Sequence, residues 1–144
     1  MRFSEAKNHP VVGTGSADTV GKVKSFVVDA AQARVVALVL AKAAGKADTL
    51  LWEDITSFGP DAVTVSSADR LVEPAGELAV LVDKKHAVLG KRVLTDAGDG
   101  LGEVKDVEFD PAGGAIRTLL TSGGEVAAWQ LIALGSYALM VRTA

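Results

Sequence analysis

The segment TVGKVKSFVVD, Thr19 to Asp29, returns in outline as GLGEVKDVEFD, Gly100 to Asp110. A chain that repeats itself folds as copies of one supersecondary unit packed together, and this restricts the fold more than any other feature here. With the second half slid back by 81 positions, Gly21 falls on Gly102, Val23 on Val104, Lys24 on Lys105 and Asp29 on Asp110. The same register lays RVVALVL (Arg34 to Leu40) on AIRTLLT (Ala115 to Thr121), and Val12 on Val93. Small gaps then bring LLWEDI (Leu50 to Ile55) onto AAWQLI (Ala127 to Ile132), which sets Trp52 against Trp129, the only two tryptophans. A further gap brings AVTV (Ala62 to Val65) onto ALMV (Ala138 to Val141). Blocks in one order, with the tryptophans paired, describe a duplicated module of about 60 residues.

Each block is short, rich in β-branched and aliphatic residues, and bounded by turn formers, which is the pattern of strands. The first copy predicts strands near Val11–Thr14, Gly21–Asp29, Val35–Ala41, Thr49–Trp52 and Ala62–Val65. The second predicts them near Lys91–Thr95, Glu103–Asp110, Ile116–Thr121, Glu125–Trp129 and Ala138–Val141. DAGDG (Asp96 to Gly100) and DPAGG (Asp110 to Gly114) have hairpin chemistry, glycine supplying positive φ and aspartate bonding its own backbone.

The repeated phrase breaks the alternation of a regular strand. Apolar residues common to both copies fall at Val23/Val104, Phe26/Val107 and Val28/Phe109, a step of three and then of two. One extra residue near Ser25 and near Asp106 restores the phase, so a β-bulge is expected at both. A bulge also bends its strand sharply, as a small barrel requires at its corners.

Between the copies runs SSADRLVEPAGELAVLVDKK, Ser66 to Lys85. Ser66 or Ser67 can cap a short helical turn through Leu71. Pro74 and Gly76 then interrupt, and ELAVLVD forms either a second helical turn or an extended apolar clip. The expected organisation is a first module over 1–66, a linker over 67–84 and a second module over 85–144. The linker is too apolar for a loose tether, so the modules are expected to pack on each other.

The chain is 49% hydrophobic and 23% charged, which suits a packed core, but only 5% aromatic, so that core must be aliphatic. The net charge is −3 and no basic run exceeds the pair Lys84 and Lys85, which argues against a broad nucleic-acid footprint. With no cysteine, disulfides and thiolate metal sites are excluded, in keeping with a cytoplasmic protein. The N-terminal stretch has no apolar signal core, and the longest apolar run, Val35 to Ala41, is far short of the roughly 20 residues a spanning helix needs. The expectation is a soluble, cytoplasmic protein without a transmembrane segment.

GKRVLTDAGDGLGEVKDVEFDPAGGAIRTLL, Gly90 to Leu120, closely resembles the PRC-barrel family. The shared pattern is Gly-x-x-Val, an acidic glycine-containing turn, Gly-x-Val-x-Asp-apolar, an Asp-led turn and an apolar strand. The first copy departs from it at its opening segment, His9-Pro10-Val11-Val12, and at Ser25, where the second has Asp106. The family's Pro-Trp-Glu-Asp-like strand start stands as Leu51-Trp52-Glu53-Asp54 and as Ala128-Trp129-Gln130-Leu131. The resemblance implies an all-β fold: two small tandem antiparallel β-barrels packed as a pseudo-dimer, with a short, partly helical linker. The family is known from the photosynthetic reaction centre H subunit and from a ribosome maturation factor, where the barrel is an assembly module without shared catalytic residues.

No constellation on the chain demands chemistry. Asp96, Asp99, Glu103, Asp106, Glu108 and Asp110 are close in sequence, but their spacing is not that of a calcium loop, and turn or solvent-facing carboxylates explain them more simply. His9 and His86 stand at roughly equivalent approaches to the two modules and have no ligand partners nearby in sequence. Gly13 to Asp18, GTGSAD, is neither a nucleophile elbow nor a dinucleotide fingerprint. Trp52 and Trp129 suit either partner binding or inter-module packing, and their matched positions favour packing. Arg34 and Arg117 flank strands and can cover apolar surface with their stems.

The resulting expectation is a non-enzymatic assembly or adaptor protein with no cofactor, no metal and no catalytic residues. Its partner is a protein, and a homodimer is plausible through exposed barrel edges. The alternatives are a ribosome-associated factor, which the acidic balance weakens as a direct RNA binder, and a small-molecule or metal-binding protein, which needs a pocket with convergent polar groups.

Overall fold

A computed structural model describes residues 1–143. The first module contains β1 (Pro10–Gly13), β2 (Thr19–Asp29), β3 (Arg34–Ala41), β4 (Thr49–Leu51), β5 (Ile55–Phe58) and β6 (Val63–Val65). The second contains β7 (Arg92–Thr95), β8 (Gly100–Phe109), β9 (Ile116–Thr121), β10 (Gly124–Ala127), β11 (Leu131–Leu134) and β12 (Leu139–Val141). Two short helices are α1 (Phe3–Ala6) and α2 (Glu77–Leu81). Each module is one six-stranded sheet, ordered β4-β3-β2-β1-β6-β5 and β10-β9-β8-β7-β12-β11, so the duplication read from the sequence is a duplication of topology. Neighbours are antiparallel except β1 with β6 and β7 with β12, which run parallel.

The sheets curl into barrel-like units without closing by hydrogen bonds. The outermost strands β4 and β5 follow one another through a 3-10 turn at Trp52–Asp54, and β10 and β11 through one at Ala128–Gln130. The chain itself therefore spans each gap. β5 and β11 were not foreseen, because ITSF and LIAL do not repeat one another in sequence.

Curvature comes from the long strands, as expected. Between Val23 and Ser25, β2 advances two residues while β3 advances one, and β8 does the same between Val104 and Asp106. The extra residues are Lys24 and Lys105, one place before the predicted sites. A second bulge lies on the partner strand, with Val36 unpaired on β3 and Arg117 on β9. Paired bulges turn each hairpin back across its own barrel, so Val23, Val28, Val104 and Phe109 all point into the core.

Backbone pairing corrects two alignments. Val11, not Val12, corresponds to Val93, since Val11 pairs with Val63 and Val93 with Leu139. The reason is an extra residue in the first hairpin turn: the Gly13 amide donates to the Asp18 carbonyl, whereas that of Thr95 donates to Asp99. Likewise Leu51 pairs with Ala37 and Ala127 with Thr118, so Trp52 corresponds to Ala128, and Trp129 to Glu53. The tryptophans are one residue out of register.

The modules meet across a pseudo-two-fold axis. The Val35 amide donates to the Gly114 carbonyl and the Ile116 amide to that of Ala33, both at 2.8 Å. These bonds exchange under the repeat, as an isologous contact requires. Around the axis all four phenylalanines gather with Trp52: Phe3 stacks on Phe26 at 4.0 Å, and Phe109 lies 5.4 Å from Phe3 and 5.5 Å from Phe58. The aromatic residues are few, yet they are concentrated at the seam, and one hydrophobic cluster runs through both modules.

The segments before each module also cross over. The Met1 amino group donates to the Phe109 carbonyl and the Phe109 amide donates back to Met1, tying the N-terminus to β8. In the linker, Ser67 caps a 3-10 turn over Ala68–Arg70 by accepting from the Asp69 amide, as predicted, and ELAVL forms α2. No helix among the described residues is long and apolar enough to cross a membrane.

Candidate functional site

Trp52 and Trp129 have different roles because they occupy different positions of the module. Trp52 is half-buried, stacked 5.6 Å from Phe58 and edge-on to Phe109 at 6.2 Å. It is a seam residue. Trp129 is 63% exposed, and its backbone carbonyl accepts from the Arg142 guanidinium at 3.0 Å. The packing expectation fails for Trp129: the one-residue offset carries its ring out of the seam, at the place where the first module has Glu53.

Tyr137 shows the same asymmetry. It is 67% exposed, beneath the Arg92 guanidinium at 4.7 Å from the ring centroid. Its counterpart, in the turn between β5 and β6, is Asp61. Two acidic positions of the first module are thus exposed aromatics in the second.

The strand before Trp129 is an outer one. In the first module the matching edge is occupied: Thr49 of β4 donates to the Val72 carbonyl at 3.1 Å and accepts from the Val72 amide at 2.8 Å. The linker thus adds a short strand-like contact to β4. Glu125 holds the equivalent place on β10, and no other segment among the described residues bridges to it. A free edge running into an exposed tryptophan has the makings of a strand-addition site.

The other candidates have structural work. Asp106 accepts from the Ser4 amide at 3.2 Å and from its hydroxyl at 2.5 Å, which docks α1. Asp110 accepts from the Ala112 amide and lies 3.6 Å from Arg117. Asp96 accepts from the Thr143 amide, and Glu103 pairs loosely with Lys105 at 3.9 Å. Glu108 bridges to Arg2 through the backbone, and Asp99 closes its own turn. Among the described residues no three His, Asp or Glu side chains are placed to hold a metal ion. Arg34 donates to the Gly113 carbonyl at 2.8 Å, so it ties the seam rather than merely covering it.

The histidines are not equivalent. His9 lies 2.6 Å from the Pro60 carbonyl, whereas Nδ1 of His86 is buried without a partner among the described residues. In the repeat His9 corresponds to Lys91: the Val23 amide donates to His9 and the Val104 amide to Lys91. Among the described residues, neither histidine side chain is hydrogen-bonded to a serine or a carboxylate.

The two small, bulged, six-stranded barrels are thus related by a pseudo-two-fold axis, and among the described residues the outer edge of β10 is uncovered. Residues 83–135, most of the second module, match the family model of the PRC-barrel domain. The first module lies outside that match and reproduces its strand order. No curated protein matches the chain.

Proposed function

We propose that this chain is a non-enzymatic assembly protein that takes an extended segment of a partner protein along the free edge of β10, with Trp129 as the side-chain anchor. The observation that carries this reading is internal to the molecule. At the matching edge of the first module the chain's own Val72 already makes both backbone hydrogen bonds to Thr49. The second module offers the same groups at Glu125 and adds an exposed tryptophan, the residue type most enriched where binding energy concentrates.

The test is affinity capture from native lysate, with and without RNase, using wild type, Trp129→Ala and Glu125→Pro. Proline removes the outward backbone donor from the edge. A defined protein retained by wild type, resistant to RNase and lost with both variants is the expected result. Capture that both variants leave unchanged overturns the edge reading. Ribosomal material lost on RNase treatment transfers the function to the ribosome-associated alternative. If the retained protein is a second copy of the chain, the edge serves a homodimer, and sedimentation of the purified protein will show it.

A further inference from the structure

A cavity of about 350 Å³ lies between β2 and the segment joining the modules. Its apolar wall includes Phe26, Val39, Leu81 and Val82, and it falls at the lower end of the size range of small-molecule sites, about 300 to 1,000 Å³. Its position in the repeat explains why it exists. Just before β1, the His9 amide donates to Ala6 and the Asn8 amide to Val23; just before β7, the Lys91 amide donates to Val88 and the Gly90 amide to Val104. Ala6 therefore corresponds to Val88, and both are buried. Two residues earlier, Ser4 corresponds to His86, each within a single helical turn.

In the second module Ser4 meets the Asp106 carboxylate through both its amide and its hydroxyl. In the first, the position of Asp106 is Ser25, and Ser25 and His86 both line the cavity. The acid that closes one contact is missing from the other, and there the buried Nδ1 of His86 has no acceptor among the described residues. Lys7, Lys24 and Lys84 also border the space. The one acid among the lining residues, Asp83, already accepts from the Lys85 amide at 2.9 Å.

We propose that this cavity binds a small carboxylic acid with an apolar tail. The ligand's carboxylate takes the place that Asp106 fills in the other half, accepting from Nδ1–H of His86 and lying in the field of the three lysines. The tail displaces water from the wall formed by Phe26, Val39 and Leu81. An apolar pocket with a few convergent polar groups suits such a molecule, and a hydrogen bond to a charged acceptor in a partly desolvated site is among the stronger ones. The inference is independent of the β10 edge.

Octanoate, kept below its micellar concentration, is the test compound, with octanol as the same tail lacking the acid. Titration calorimetry and backbone amide shifts should show saturable octanoate binding centred on Val39, Leu81 and Val82, with octanol at least about tenfold weaker. Ser25→Asp supplies the missing acid from within, at an exposed position that is already aspartate in the other module. It should reduce octanoate affinity at least about tenfold while the melting temperature is maintained or raised. His86→Leu, which keeps the wall apolar, should weaken octanoate and leave octanol unchanged. Equal binding of octanoate and octanol, shifts away from the cavity, or full octanoate affinity in Ser25→Asp would each overturn the proposal.

Discussion

Gly114 has φ near +81°, and a Cβ built there would lie 2.9 Å from Cε2 of Trp52 and 3.0 Å from the Val35 carbonyl. The neighbouring Gly113 has nothing within 4 Å of that position. Gly114→Ala is therefore expected to destabilise by about 2 kcal/mol or more, through backbone strain and a pushed indole, while Gly113→Ala should stay within about 0.5 kcal/mol. Urea unfolding monitored by circular dichroism distinguishes them. The tryptophans make a second contrast. Trp52→Ala opens the seam and should cost about 2 kcal/mol; Trp129→Ala should cost little stability and remove the red-shifted part of the fluorescence emission. Sequence identified both residues as important, but matched them to each other. Identity of type outweighed register in that match, and register is set by backbone pairs that the letters do not carry.

Among the elements, the bulged strands were the most legible. A step of three within an alternating pattern has only one economical explanation in a sheet, and the extra residues stand at Lys24 and Lys105. The linker's first turn was legible too, because a serine cap is a local contact between neighbours in sequence. α1 was not foreseen. A four-residue helix has no stability of its own, and this one exists because Phe3 and Ala6 are buried and Asp106 holds Ser4. Asp106→Ala should therefore release α1, costing about 1 to 2 kcal/mol. Hydrogen exchange would show it as faster exchange at Ser4 and Lys7, with β9 and β10 unchanged. β5 and β11 escaped notice because ITSF and LIAL share position but are identical at no aligned residue. Each follows its 3-10 turn and pairs with the strand after it, β5 with β6 and β11 with β12.

Both modules contribute to a single apolar cluster that includes the fully buried Phe109, so the whole molecule is expected to behave as one unit. Unfolding is expected to be cooperative across the seam. Trp52 fluorescence and amide signals from β11 and β12, monitored separately in urea, should give coincident midpoints. Phe109→Ala should lower both together, by about 3 to 5 kcal/mol. Separate midpoints would show that the modules are independent. From sequence alone came the duplication, the strand-rich class, the bulges and the family resemblance, since each depends on local pattern or on self-comparison along the chain. The candidate sites depended on something else. Exposure of Trp129, coverage of β4 by Val72 and the unmatched Nδ1 of His86 arise where segments distant in sequence meet, or fail to meet, around a pseudo-two-fold axis. A repeat specifies two similar halves; only packing them against each other decides which copy of each position is covered and which is left exposed.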